Sequence, residues 1–228
     1  MTFHYFVHSD AEHMYARLEA LMQSSVPKYL RTTKSWGIVY HRSSVDTSLP
    51  ARPDERLEVD PSLPPFPTTG KEARMIAFFD AAHGNDLRDR RSATGCAFVL
   101  SGGVISYRCK TQSIAATSST EAEFLAAVLT AKQARYLRSI LKELGFEQPG
   151  PTTLYCDNQS AINMVNARVP TERSRHIDVQ HFAIQDWKEA GDIIMSFIPG
   201  IINPSDDLTK PLGWILHSRH ARRIVGHH

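Results

Sequence analysis

Two apolar runs of strand length, ARMIAFFD at 73–80 and TTLYCDN at 152–158, each run into an aspartate, Asp80 and Asp157. Short runs without polar alternation read as buried strands, and a strand buried on both faces needs covering layers on both sides of its sheet. The segment between them supplies more of that sheet. GCAFVLS and VISYRCK flank Gly102 and Gly103 with alternating patterning, which predicts a two-residue hairpin. That register puts Cys96, Phe98 and Leu100 on one face with Ile105, Tyr107 and Cys109, and sets Cys96 opposite Cys109 as a reduced apolar pair.

From Ser118 to Gly145, Leu125, Val128, Leu129, Tyr136, Leu137, Ile140, Leu141 and Leu144 recur at helical spacing, with Gly145 as the stop. The opening SSTEAE offers two overlapping capping boxes, Ser118 with Glu121 and Thr120 with Glu123. A short helix from Gln159 to Asn166, another from about Ser174 to Ala190, the strand DIIMSFIP and a helix from about Pro204 complete the order β-β-β-α-β-α-α-β-α. This is an α/β chain, a five-stranded mixed sheet flanked by helices, in which an antiparallel meander joins parallel strands through helical crossovers.

The organisation predicted is a small leading segment (1–42), a stretch interrupted by Pro50, Pro53, Pro61, Pro64, Pro65 and Pro67 (43–70), the main unit (71–212) and a basic tail (213–228). At 228 residues the chain can bury one good core. No apolar run approaches the ~20 residues of a membrane span, and the start lacks the order of a signal peptide. Cys96, Cys109 and Cys156 form no C-x-x-C pair, which argues against a disulfide scaffold and suits a reducing compartment. A net charge of +2 does not by itself announce a nucleic-acid partner, so that claim must come from a site. The histidines at 4 and 8, and at 217 and 220, have helical spacing but no third metal partner.

Strand ends in mixed α/β sheets line the usual ligand crevice, and carboxylates gathered there repel one another unless a cation sits between them. Asp80 and Asp157, with a glutamate from the first turn of the long helix and an aspartate from PSDDLTKP, would offer four hard oxygen ligands of the kind that suit Mg²⁺. Two such ions form the clamp used for in-line attack on phosphodiesters. Periodicity does not separate Glu121 from Glu123, and helix geometry does not separate Asp206 from Asp207. Strand-end aspartates are also common turn initiators.

The string DRRSATGCAFVLSGGVISYRCKTQSIAATSSTEAEFLAA, followed by LYCDNQSAI, RSRHID and NPSDDLTKPL, resembles the ribonuclease H domain of copia-type retrotransposon Pol polyproteins, from about Ile76 to Leu212. Upstream, VPKYLRTTKSWGIVY resembles the end of that family's reverse transcriptase connection. The resemblance implies a ribonuclease H-like fold that hydrolyses the RNA strand of RNA:DNA hybrids with two Mg²⁺ ions, Mn²⁺ substituting. It implies a reverse transcriptase portion of the same polyprotein as partner, and an intracellular setting in the cytoplasm or in retroelement particles.

Carried over by position, the ligand set is Asp80, Glu123, Asp157 and Asp206. Asp80 would bridge both ions, Glu123 and Asp157 would hold the one near the leaving group, and Asp206 would hold the one that activates water. The second glutamate of T-E-A-E selects Glu123, leaving Glu121 to pair with Ser118. The pattern D-x-x-T-K, counted back from Lys210, selects Asp206. Where the family often has D-A-D-W, this chain has Asp80, Ala81, Ala82 and His83, and the loop PGIINPS lacks the mobile histidine of cellular relatives. That absence implies slow product release, or service by another group such as His176.

Ser119, Thr120, Asn158 and Gln159 match positions that touch the hybrid's minor groove, and capping or turn formation explains them equally well. Arg88, Arg90 and Arg91 form a compact basic loop suited to phosphate contact or simply to solvent. His176 and Asp178 in RSRHID read as helix-capping or supporting residues, and SRHARRIVGHH reads as a solvated tail. The alternative to an active nuclease is a catalytically silent fragment that binds nucleic acid or serves assembly.

Overall fold

The computed structural model describes residues 74–84, 89–167 and 178–225. The leading segment, the proline-rich stretch, Arg88 and His176 lie outside the described residues. The apolar runs after Ala73 resolve into β1 (Ile76–Ala82), β2 (Ala93–Leu100) and β3 (Gly103–Thr111), an antiparallel meander, to which β4 (Thr152–Cys156) and β5 (Ile193–Phe197) add in parallel. Strand order is β3-β2-β1-β4-β5. The helices α1 (Ser119–Glu143), α2 (Gln159–Asn166) and α3 (Asp178–Glu189) make the crossovers, and α4 (Trp214–Val225) ends the described chain. The fold class is the expected α/β one, a five-stranded mixed sheet flanked by helices.

Strand alternation divides β1 between two cores. Met75, Ala77, Phe79 and Ala81 face the helices and pack with Phe124, Leu125 and the small residues Ala122, Ala126, Ala127, Ala131 and Ala134 of α1. That alanine stripe lets α1 lie close on the sheet. Ile76 and Phe78 face the other way and pack with Val99, Ile198 and Ile202, with Phe78 stacked on Tyr155 at 5.3 Å between ring centroids. By the same alternation Asp80 belongs to this second face. The β1–β4 ladder runs only from Ile76–Thr153 to Phe78–Tyr155, so the two strands part just before Asp80 and Asp157.

The hairpin differs from the sequence reading by one residue. Leu100 pairs with Gly103, so the turn residues are Ser101 and Gly102, whose φ values of 52° and 81° suit a turn that needs positive φ at both central positions. A bulge between Phe98 and Val99 shifts the ladder again. Cys96 therefore faces Arg108, not Cys109, and the two thiols lie in different cores: Cys96 with the helices, Cys109 beside Ala97, Val104 and Leu208.

The C-terminal reading is also corrected. Pro204–Leu208 is a 3₁₀ turn, and Pro211, which cannot donate a backbone hydrogen bond, separates it from α4. The basic residues expected in a solvated tail belong to this helix, which packs against the 3₁₀ turn and β3. Ser218 and His220 are buried, His217 Nδ1 lies 3.0 Å from Asp207 Oδ1, and Arg223 donates to the Ile202 carbonyl at 3.1 Å.

Candidate active site

Each of the four carboxylates is placed by a different element. Asp80, 1% exposed, projects from the end of β1 opposite Gly95 of β2. It accepts a hydrogen bond from the Thr209 hydroxyl and one from Lys210 Nζ at 3.0 Å. A Cβ on Gly95 would stand 2.7 Å from both Leu208 Cβ and Thr209 Cγ2 and 3.1 Å from the Ser205 carbonyl. The missing side chain is what lets the Pro204–Leu208 turn lie on the sheet beside Asp80.

Asn203, fully buried, anchors that turn. Its amide donates to the Phe79 carbonyl at 3.0 Å, and its Oδ1 accepts from the Ser205 hydroxyl at 2.6 Å and the Ser205 N–H at 3.2 Å. Asp206 is thereby presented to the cluster, with Lys210 Nζ 3.3 Å from its Oδ1. Asp207 points elsewhere, to His217 on α4.

Glu123 enters from the first turns of α1. Ser118 caps that helix by accepting from Glu121 N–H at 3.2 Å, while the Glu121 carboxylate accepts from the Thr117 N–H at 2.8 Å. Glu121 is thus engaged at the cap, a residue earlier than a standard capping box. Two residues on, Glu123 Oε1 accepts the Ala81 N–H at 3.2 Å, next to the point where β1 has parted from β4. Asp157 follows β4 directly. One oxygen each of Asp80, Asp157 and Asp206 lie within 4.8 Å of one another, and Glu123, Asp157 and the Cys156 sulfur form a second such group. Asp157 is common to both.

The electrostatics show how short of positive charge this cluster is. Burial, then the charges of Asp80 and Asp157, push Glu123 up to about 9, against the pull of the Ala81 N–H. Burial and Asp80 push Asp206 up to about 7, although Lys210 opposes them. Asp157 is raised by burial and by Asp80. Burial weakens the Lys210 ammonium, but Asp80 and Asp206 outweigh it and hold the group above its ordinary value. One ammonium among four carboxylates leaves room for added cationic charge. All four are hard oxygen donors, Asp80, Asp157 and Asp206 lie close enough together to share one divalent ion, and Glu123 lies beside Asp157, so the donor set fits Mg²⁺ or Mn²⁺.

The residues expected to touch nucleic acid surround this cluster less tightly. Ser119 is exposed and Thr120 half-buried in the first turn of α1. Asn158 caps α2, accepting from Ala161 N–H at 3.0 Å, and Gln159 donates to Asn163 Oδ1 at 3.0 Å on the exposed surface. Arg90 and Arg91 are exposed, Arg91 paired with Asp89 at 3.0 Å. His83 reaches the Ala116 carbonyl at 3.2 Å and ties the end of β1 to the approach of α1. Sequence reasoning used Lys210 only to count positions and passed over Thr209, Asn203, Gly95 and Gly200. The threonine and lysine of D-x-x-T-K were the available signal. The glycines gave none, because their partners are distant in sequence.

No protein-family model matches the chain. Among curated proteins it is 37% identical over 141 residues to the retrovirus-related Pol polyprotein from transposon TNT 1-94 of Nicotiana tabacum, a match covering 62% of this chain and 10% of that one. It is 29% identical over 159 residues to the corresponding polyprotein from transposon RE2 of Arabidopsis thaliana, covering 70% of this chain and 11% of that one. The chain thus spans about a tenth of the length of these curated relatives. Among solved structures, LC11-RNase H1 in complex with an RNA/DNA hybrid aligns with a TM-score of 0.45 at 13% identity, covering 60% of this chain and 94% of that one.

Proposed function

We propose that the chain is a metal-dependent ribonuclease H of a copia-type retrotransposon, hydrolysing the RNA strand of RNA:DNA hybrids within residues 71–212. The observation that carries this reading is the convergence of Asp80, Glu123, Asp157 and Asp206, from four separate elements, on one crevice at the parted ends of β1 and β4. The similarity to plant-transposon Pol polyproteins supports the retroelement setting, with the reverse transcriptase portion of such a polyprotein as partner and an intracellular location. No helix among the described residues is long and apolar enough to cross a membrane.

Asp80, Asp157 and Asp206 would hold one divalent cation, and Asp157 with Glu123 and Asp80 a second, Mg²⁺ or Mn²⁺ in each case. Bound there, the cations supply Lewis-acid stabilisation of a phosphodiester and a water of lowered pKa. The protein's own groups prepare the crevice. Glu123, raised to about 9 by burial and by the charges of Asp80 and Asp157, is the carboxylate that an added cation would relieve most. The Ala81 N–H fixes one of its oxygens. Thr209 orients Asp80 by donating to it, and Lys210 spans Asp80 and Asp206, limiting their repulsion. Ser119, Thr120, Asn158 and Gln159 would meet the minor groove of the hybrid, where 2′-hydroxyls are accessible, and Arg90 and Arg91, with Arg88 beside them in sequence, its phosphates.

A labelled RNA:DNA hybrid, duplex RNA, duplex DNA and single strands, each incubated with Mg²⁺ or EDTA, test the proposal. Cleavage of RNA in the hybrid alone, and only with Mg²⁺, is expected. Cleavage in EDTA, or of DNA in preference to hybrid, contradicts it. Hybrid binding without cleavage would identify a catalytically silent module.

A further inference from the structure

Three of the four carboxylates are tied to another residue: Asp80 to Thr209 and Lys210, Glu123 to the Ala81 N–H, and Asp206 to Lys210. Asp157 is held differently. Among the described residues its carboxylate takes a hydrogen bond only from its own backbone N–H. Against it stands the bare α-carbon of Gly200, where a Cβ would lie 2.7 Å from Asp157 Oδ2 and 3.6 Å from its Cγ. Real Cβ atoms do not approach other atoms so closely, so either the loop or the carboxylate would have to move.

The loop is the stiffer partner. Ile198 N–H donates to the Cys156 carbonyl at 2.9 Å, and Ile202 and Asn203 N–H donate to the Pro199 and Gly200 carbonyls at 3.0 Å each. Ile202 is buried beneath Gly200 in the second core, and Asn203 is pinned to Phe79. The Asp157 carboxylate, by contrast, is the free end of a side chain and rotates about χ1 and χ2 at little cost to the fold. Asp157 is also the carboxylate common to both ligand groups, so its rotation would disturb both.

The geometry points to Gly200 as the positioning residue of Asp157, its missing side chain setting the carboxylate's orientation and thereby the affinity of the crevice for divalent cations. This rests on the metal-dependent reading above. Gly200→Ala should leave the fold intact and weaken the site, the reverse of what a residue needed for packing would do.

The test uses the full chain as wild type, Gly200→Ala, Asp157→Asn and the double variant, read by thermal melting in EDTA, by calorimetric Mn²⁺ titration and by the Mg²⁺ dependence of hybrid cleavage. Gly200→Ala should melt within about 2 °C of wild type. Its Mn²⁺ affinity should fall about 10-fold or more, as when a group supporting a metal ligand is altered, and saturating Mn²⁺ should recover part of the cleavage rate. In the Asp157→Asn background the same substitution should change Mn²⁺ affinity little, because both act through one carboxylate.

Unchanged Mn²⁺ affinity in Gly200→Ala would overturn the inference, as would an undiminished loss in the Asp157→Asn background. A melting temperature lowered by ten degrees would do the same, since the loop rather than the carboxylate would then have yielded. A wild-type chain that cleaves hybrid and binds Mn²⁺ while Gly200→Ala matches it refutes only the role of Gly200. A wild-type chain that does neither removes the metal-dependent reading, and this inference with it.

Discussion

Asp206 and Asp207 are adjacent and chemically identical, yet the structure gives them different surroundings. Asp206 faces Asp80 and Lys210, while Asp207 meets His217 of α4 at 3.0 Å. Helical residues in succession point about 100° apart, so the sequence could establish that only one faces the crevice, and the motif count from Lys210 chose between them. What is not legible is the partner of Asp207, because it lies on α4, whose basic sequence reads as a solvated tail. Asp206→Asn should lower the rate of hybrid hydrolysis at least ~100-fold, the scale of losing a group that stabilises a transition state. Asp207→Asn should leave the rate near wild type and shift stability by about 1 kcal/mol or less, the worth of one hydrogen bond. Steady-state kinetics and melts of the two variants check the pair. A dead Asp207→Asn beside an active Asp206→Asn would reverse the assignment. Glu121 and Glu123 part in the same way, one engaged with Thr117 and the other with Ala81.

Among the elements, the 3₁₀ turn lies close against β2 beside the site. Gly95 admits Leu208 and Thr209 at distances a side chain would forbid, and Thr209 then reaches Asp80. Gly95→Ala should push the turn off the sheet, costing roughly 1–3 kcal/mol as overpacking does and lowering activity with it. Its neighbours are a Cβ, a methyl and a backbone carbonyl, none of which can rotate away as the Asp157 carboxylate can. Denaturant melts should therefore separate the two glycines, Gly95→Ala losing stability and Gly200→Ala keeping it. Strand and helix identities were legible because apolar period and caps are local, as in α1, whose cap and length match the pattern closely. The hairpin register was not, because the bulge at Phe98/Val99 depends on the partner strand and the turn on which residue accepts positive φ. The α4 helix is hidden in the sequence because its basic residues mask a stripe that packs against the 3₁₀ turn and β3.

The molecule as a whole gathers carboxylates where its sheet opens, and folding has to oppose their repulsion. Protons bound to Glu123, raised to about 9, and to Asp206, raised to about 7, are held more tightly in the folded chain than in the unfolded one. Stability of the metal-free protein is then greatest near the ordinary carboxylate range and is lost as pH rises through the raised values. Melting temperature in EDTA should fall from about pH 5 to about pH 9, and Glu123→Gln should flatten the upper part of that fall. A melting temperature that rises over this range would contradict the electrostatics described here. The succession of five strands along the chain, a meander followed by parallel strands, and the gathering of Asp80 and Asp157 at strand ends were legible from the apolar runs and the crossovers between them, whereas the order of the strands in the sheet was not. The tie of Glu123 to Ala81 and the ammonium between Asp80 and Asp206 were not, since both join residues far apart in sequence.

The central claim is that these four carboxylates form one divalent-cation site that hydrolyses the hybrid, and Asp157, common to both ligand groups, is where it is most exposed to test. The most direct measurement is the hybrid-cleavage rate of wild type and Asp157→Asn across a Mg²⁺ titration, with melting in EDTA recorded beside it. The account predicts saturable, Mg²⁺-dependent cleavage by wild type, no cleavage by Asp157→Asn at any Mg²⁺ concentration, and a melting temperature for the variant equal to or above wild type, because a mutually repelling charge has been removed. Wild-type cleavage rates in Asp157→Asn would contradict it.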